Sequence, residues 1–67
     1  SLKDRLLNKF NVSVAEVGAN EKWQIGELAV VTVGNESRFV VSVLEEVKKF
    51  ISTNPAARII DSDIEVI

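Results

Sequence analysis

Three carboxylates near the end of the sequence alternate with other residues and are candidates for binding a metal ion. Asp61, Asp63 and Glu65 occupy every second position, and such residues share one face of a regular strand. Their oxygens are the ligand type that Mg²⁺ and Ca²⁺ prefer, but the glycine and the twelfth-position glutamate of an EF-hand loop are missing. A charged strand face that discourages aggregation is the alternative. We predict that alternative, with no metal site.

Basic residues in two predicted helices form a second candidate site, for RNA or a partner protein. On helices that cover one face of a sheet, these side chains would combine into one surface that contacts phosphates, with strong salt dependence. Acidic residues intervene in both helices, and charged outer faces are usual for surface helices. The candidate RNA- or partner-binding residues are Arg5, Lys9, Lys48 and Lys49.

Catalytic chemistry has little support in the residue types of the chain. The sequence contains no histidine, cysteine or tyrosine, which supply many general bases and nucleophiles. No serine lies in a G-x-S-x-G pattern. A serine–lysine or carboxylate site remains an alternative, but we predict a non-enzymatic protein with no catalytic residues and no cofactor.

Apolar residues in the middle of the chain form a candidate protein interface. Trp23 follows a polar turn, and its ring either closes one end of the core or anchors a partner. In the predicted strand over residues 28–33, the residues that would point to either face of the sheet are largely apolar. An open antiparallel sheet normally has one apolar and one polar face. A second apolar face indicates burial against another molecule, and we predict a homodimer. The candidate interface residues are Trp23, Ala29, Val31 and Val33.

Length and composition limit the chain to one small domain. It has 67 residues, of which 46% are hydrophobic, and a net charge of −2. That hydrophobic content argues against disorder, and the balanced charge does not by itself indicate a nucleic-acid or membrane partner. No apolar run approaches the roughly 20 residues of a membrane-spanning helix. The absence of cysteine fits a reducing compartment, so we predict a cytoplasmic protein with no membrane contact.

Apolar spacing predicts five elements in the order α-β-β-α-β. The apolar stripes of the two helices consist of Leu2, Leu6, Leu7 and Phe10 in the first, and of Phe39, Val40, Val43, Leu44, Val47, Phe50 and Ile51 in the second. Asn11 is the predicted stop of the first helix. Gly26 is a candidate for a bulge or a close backbone approach in the second strand. The two strands and the turn between them predict an antiparallel hairpin. The predicted elements are a helix over 2–10, a strand over 12–17, a turn over 18–22, a strand over 23–33, a helix capped by Asn35 or Ser37 that ends before Pro55, and a strand over 57–67.

This order is that of a βαββαβ unit without its first strand. In the ferredoxin-like arrangement the first strand is central, and its loss would leave backbone groups unpaired in the middle of the sheet. We therefore expect residues 1–67 to be the C-terminal part of a ferredoxin-like, two-layer α+β sandwich. Its sheet would be antiparallel, with two helices on one face. A sheet that re-pairs or exchanges strands with another chain is the alternative. RNA-recognition modules share the order, but the stretch "QIGELAVVTV" of the second strand has no aromatic residue where those modules stack bases.

Three segments of the chain are similar to those of a known family. They are "SLKDRLLNKFNVSVAEVG", "WQIGELAVVTVGNE" and "IIDSDIEVI", and "NVSVAEV" followed by "WQ" is the most specific part. They resemble the YlxP-like family of small bacterial proteins of unknown function. The resemblance implies a ferredoxin-like fold with a further N-terminal strand, in a domain of about 90 residues. It also implies a role near ribosome assembly, because the family's genes often lie beside those for a translation initiation factor and a ribosome-binding factor.

The resemblance and the residues together predict a small non-catalytic protein linked to translation. Its partner would be ribosomal RNA or an assembly factor. A dimeric interaction or regulatory module with no RNA contact is the alternative. The two differ in salt dependence, because phosphate contacts weaken with salt whereas apolar association does not.

Overall fold

Two helices and two strands make up the regular structure of the residues that are described. The computed structural model describes residues 1–20, 25–55 and 58–67. Their elements, in chain order, are α1 (Leu2–Lys9), β1 (Ser13–Asn20), β2 (Ile25–Val31) and α2 (Ser37–Ser52). The α+β class and the order α-β-β-α are therefore confirmed. The chain divides into two compact units, Ser1–Val31 and Thr32–Ile67.

Helix α1 begins at a serine cap and ends where the backbone becomes extended. The Asp4 backbone N–H donates to Ser1 Oγ at 3.2 Å, which satisfies one of the amide donors that have no partner within the helix. At the other end, the Phe10 N–H donates to the Leu6 carbonyl at 2.9 Å. Phe10 itself has φ −121° and ψ 151°. The chain thus leaves the helical conformation at Phe10, one residue before the predicted stop at Asn11.

Strands β1 and β2 form the predicted antiparallel hairpin, but with different bounds. Asn20 pairs with Ile25, so residues 18–20 belong to the strand although their sequence predicts a turn. The ladder gives their backbone groups hydrogen-bonding partners. At the other end, Ser13 is the first residue of β1 and pairs with Val31. Strand β2 therefore ends at Val31 and not at Val33, and its predicted beginning at 23–24 lies outside the described residues.

A β-bulge lies in β1 at Val17. The register shifts between Glu16 and Gly18, so Val17 is the additional residue on its strand, and such a residue bends the strand and increases its twist. At Gly26 the pairing is regular, and a Cβ there would meet only the Gly18 carbonyl oxygen, at 3.9 Å. The prediction of a bulge or close approach at Gly26 was therefore wrong, because the bulge depends on how the two strands pair and not on where a glycine stands.

Leu6 is the buried side chain among the described residues of the first unit. It is 0% exposed, and α1 packs against β1. Leu2 and Phe10, four residues before and after it, are half-buried, as the predicted apolar stripe requires. Leu7, which the sequence placed in the same stripe, is 43% exposed because it lies about 100° farther around the helix.

Helix α2 begins without a side-chain cap. Its N-cap residue is Glu36, whose side chain makes no capping hydrogen bond, so neither Asn35 nor Ser37 has the predicted role. The Glu36 carbonyl accepts from the Val40 N–H at 3.2 Å. Gly34, two residues before the cap, lies so close to the first turn that a Cβ on it would be 2.9 Å from Val40 Cγ1.

Helix α2 ends as predicted, before Pro55. The Thr53 backbone N–H donates to the Lys49 carbonyl at 3.1 Å. Two side-chain hydroxyls also donate to carbonyls of the last turn, Ser52 Oγ to Lys48 at 2.9 Å and Thr53 Oγ1 to Phe50 at 2.8 Å. Carbonyl groups that lack a partner within the helix thus find one locally.

The apolar side of α2 centres on Val47, which is 3% exposed. Other members of the predicted stripe are half-buried: Val40, Val43, Leu44, Phe50 and Ile51. Phe39 is the exception, at 59% exposed. Neither α2 nor any other helix in the described part of the chain is long and apolar enough to cross a membrane.

Residues 58–67 have no regular secondary structure, so the prediction of a final strand was wrong. The Ser62 N–H donates to Asp61 Oδ1 at 2.9 Å, and the Ile64 N–H donates to Asp63 Oδ1 at 3.0 Å. Such short-range bonds compete with a ladder for the same backbone donors. β-Branched residues favour a strand, but a strand also needs a neighbour, and the described sheet consists of β1 and β2.

The burial of Leu6 generates a paired mutational prediction. Leu6→Ala should lower the free energy of unfolding by about 2–5 kcal/mol, because it removes buried methyl groups and leaves a cavity. Leu7→Ala is the matched control and should cost about 1 kcal/mol or less, since its side chain is already partly in water. Urea unfolding followed by circular dichroism measures both. Equal losses would contradict the assignment of Leu6 to the core.

The close approach at Gly34 generates a second pair. Gly34→Ala should destabilise the fold by about 1–3 kcal/mol, because the new methyl group must displace Val40 and Phe39. Gly26→Ala meets no such crowding and should be neutral or slightly stabilising, since alanine restricts the unfolded chain. Thermal unfolding of the two variants beside the parent tests this. A Gly34→Ala variant as stable as Gly26→Ala would show that the side chains of Val40 and Phe39 can move away from the added methyl group without a loss of stability.

Candidate functional site

Helix α1 carries a concentrated positive charge. Three basic residues and one acidic residue within its eight positions give it a net charge of +2. Arg5 and Lys9 are exposed and four residues apart, which makes them neighbours on the helix surface with about 5–6 Å between their Cβ atoms. Lys3 lies on the opposite flank of Leu6, because each residue advances about 100° around the axis. Asp4 lies in the first turn, where negative charge is favourable.

The two lysines of α2 each lie beside a glutamate one turn earlier. Lys48 Nζ is 3.9 Å from Glu45 Oε2, and Lys49 Nζ is 3.7 Å from Glu46 Oε1. Such exposed pairs stabilise a helix by only about 0.2–0.5 kcal/mol. They do, however, place a carboxylate next to each ammonium group. With Arg38 included, the sixteen residues of α2 have a net charge of +1, so positive charge is denser on α1.

The predicted basic residues fall into two groups. Arg5 and Lys9 lie in the first compact unit, and Lys48 and Lys49 lie in the second. Each pair is adjacent on its own helix. A single basic surface made by both helices stays a prediction.

The hairpin presents one partly covered face and one more exposed face. Residues two apart on a strand share a face, and paired residues on the two strands do so as well. The first face carries three half-buried side chains, Val14, Leu28 and Val30. The opposite face carries Ala15, Ala29 and Val31. Val31 is 59% exposed, and Val17, two positions after Ala15 and at the bulge, is 60% exposed.

Two of the four predicted interface residues lie together on this second face. They are Ala29 and Val31. Val33 lies beyond the end of β2 and is 87% exposed, while Trp23 lies outside the described residues. Sequence reasoning did not select Val17, because its exposure and placement follow from a bulge that strand pairing creates. The alternation of Ala15 and Val17 was the available signal.

The three carboxylates of the last segment do not share a strand face. Asp61, Asp63 and Glu65 are exposed and lie where the chain has no regular structure. An oxygen of each aspartate accepts from the backbone N–H of the following residue. Within residues 1–20, 25–55 and 58–67, no group of three or more histidine, cysteine, aspartate or glutamate side chains is arranged to hold a metal ion.

Comparison with known proteins identifies a family for nearly the whole chain. A family model described as "Protein of unknown function (DUF503)" matches residues 1–64. No curated protein matches the chain. No solved structure matches it.

Proposed function

Because the chain belongs to the DUF503 family of proteins of unknown function, we propose a role on the basis of its surfaces and its sequence resemblance. The role is that of a small, non-catalytic, YlxP-like cytoplasmic protein of the translation machinery. Its partner is ribosomal RNA or a ribosome assembly factor. Two features support this role, namely the resemblance carried by "NVSVAEV" and "WQ" and the distribution of basic residues over the helices.

The observation that carries RNA binding is the concentration of positive charge on α1. The chain as a whole has a net charge of −2, so its overall field repels a polyanion. Helix α1 has a net charge of +2 within eight residues, and it is the segment that an RNA phosphate would approach most favourably. Contacts of this kind release counterions from the nucleic acid and weaken as salt increases.

Co-sedimentation with ribosomal particles tests the role. At low salt the protein should migrate with one ribosomal subunit of its own host, and most of this association should be lost at high salt because phosphate contacts are screened. The Arg5→Gln, Lys9→Gln double variant should migrate mainly at the top of the gradient. Association that survives high salt would favour an assembly protein as the partner. The absence of co-migration at either salt concentration would contradict a ribosome-linked role.

Self-association without RNA contact is the second candidate function. The observation in its favour is the exposure of Val17 and Val31 on the hairpin, at 60% and 59%. Apolar side chains on an antiparallel sheet are stabilised when another surface removes them from water. A second copy of the chain would bring the same face, and a two-fold interface needs only one self-complementary patch.

Equilibrium sedimentation tests this candidate with matched variants. The parent protein should be dimeric at high micromolar concentration. Val31→Lys should be monomeric, because a dimer would bury two unpaired ammonium groups. Val33→Lys introduces the same charge at a residue beyond β2 and should remain dimeric. A monomeric parent protein, or equal effects of the two substitutions, would exclude this face as the dimer interface.

A further inference from the structure

We propose that α1 binds RNA through its sugar–phosphate backbone, with Arg5 and Lys9 at adjacent phosphates and no selection of base sequence. The inference rests on the proposed RNA-binding function and specifies the class of contact. It assigns the contact to α1 and excludes α2. The argument depends on the spacing of the two side chains, the neighbours of the lysines on α2, and the composition of the strands.

The spacing of Arg5 and Lys9 suits a nucleic-acid strand. Burial of Leu6 directs both residues to one flank of α1, one helical turn apart, with about 5–6 Å between their Cβ atoms. Their long side chains can therefore reach successive phosphates of one strand. The guanidinium group of Arg5 can bind two oxygens of one phosphate, while the ammonium group of Lys9 acts as a point charge. Lys3 is on the other flank and does not belong to this pair.

The lysines of α2 are poorly placed for the same task. A phosphate that approaches Lys49 also approaches Glu46, whose oxygen is 3.7 Å from the ammonium nitrogen. The same holds for Lys48 and Glu45, at 3.9 Å. Repulsion between the phosphate and each carboxylate opposes much of the attraction to the lysine. Positive charge is also denser on α1, with a net charge of +2 in eight residues against +1 in sixteen on α2, and this density places the site on α1.

Over their described residues, the strands lack the side chains that commonly read single-stranded RNA. Sequence-specific recognition of single strands usually stacks bases on aromatic residues or arginine planes of a sheet. Strand β1 reads "SVAEVGAN" and β2 reads "IGELAVV", with no aromatic residue and no arginine. Contacts to phosphates alone carry no direct sequence information. Binding through α1 should thus be weak, salt-dependent and similar for different sequences.

Nuclear magnetic resonance titration tests this contact, because it both detects weak binding and locates it. The ¹⁵N-labelled protein is titrated with oligouridine and with oligoadenine of equal length, at low salt. Amide shifts should concentrate in residues 2–10 with both RNAs, and the two affinities should agree within about threefold. The logarithm of the affinity should fall against the logarithm of salt concentration with a slope of roughly −1.4, as two phosphate contacts on a single strand predict.

Charge-matched variants separate α1 from α2. Arg5→Gln with Lys9→Gln removes two positive charges from α1, and Lys48→Gln with Lys49→Gln removes two from α2. The first pair should lower the affinity by about tenfold or more, and the second should change it by less than about threefold, because only the first removes phosphate contacts. Unchanged amide spectra away from the substitutions establish that each variant is folded.

The possible failures are distinguishable. Shifts centred on α2, equal losses in the two double variants, or a preference of about tenfold for one RNA would overturn the inference and leave RNA binding in place. The absence of shifts with either RNA would overturn it as well. If the protein then still sedimented with ribosomal particles, its partner would be a protein. Failure of both experiments would overturn the proposed function itself.

Discussion

The packing of α1 against β1, with Leu6 as the fully buried side chain, is the contact on which the first unit depends. An isolated helix of eight residues is too short to be stable in water, and a two-stranded hairpin alone is marginal at best. Each element therefore needs the other to remove apolar surface from water. The same contact orients the helix, because burying Leu6 directs Arg5 and Lys9 to one exposed flank. Core packing and the charged surface thus depend on the same residue.

The small size of the chain has consequences for its surface. A domain of this length buries only about 60% of the surface that its unfolded chain exposes. Several large apolar side chains remain more than half exposed, among them Val17, Val31 and Phe39. Val17 and Val31 lie on the hairpin, where strand periodicity and the bulge place them on one face. Such a face is a candidate for contact with another molecule, whereas single exposed apolar residues need no such explanation.

The distribution of charge shows why counting basic residues is a poor guide to a binding surface. Helices α1 and α2 each contain three basic residues. On α2 the two lysines near its end have glutamates one turn earlier, at 3.9 and 3.7 Å. On α1 the acidic residue is Asp4, in the first turn, where its backbone N–H is bound by the cap. The net charge of the two helices therefore differs, at +2 on α1 and +1 on α2, although each contains the same number of basic residues.

The sequence by itself determined the helices, the hairpin and the α+β class. Apolar residues at helical spacing favour a helix, and β-branched runs favour a strand, through local interactions alone. A hairpin needs only that two strands adjacent in sequence pair with each other. The pattern also identified the stripe that contains Leu6 and the exposed pair Arg5 and Lys9. Tertiary structure decided the bulge at Val17, the end of β2 at Val31, and the absence of a strand over 58–67. Each of these depends on which backbone groups find a partner across the sheet, and local preference does not contain that information.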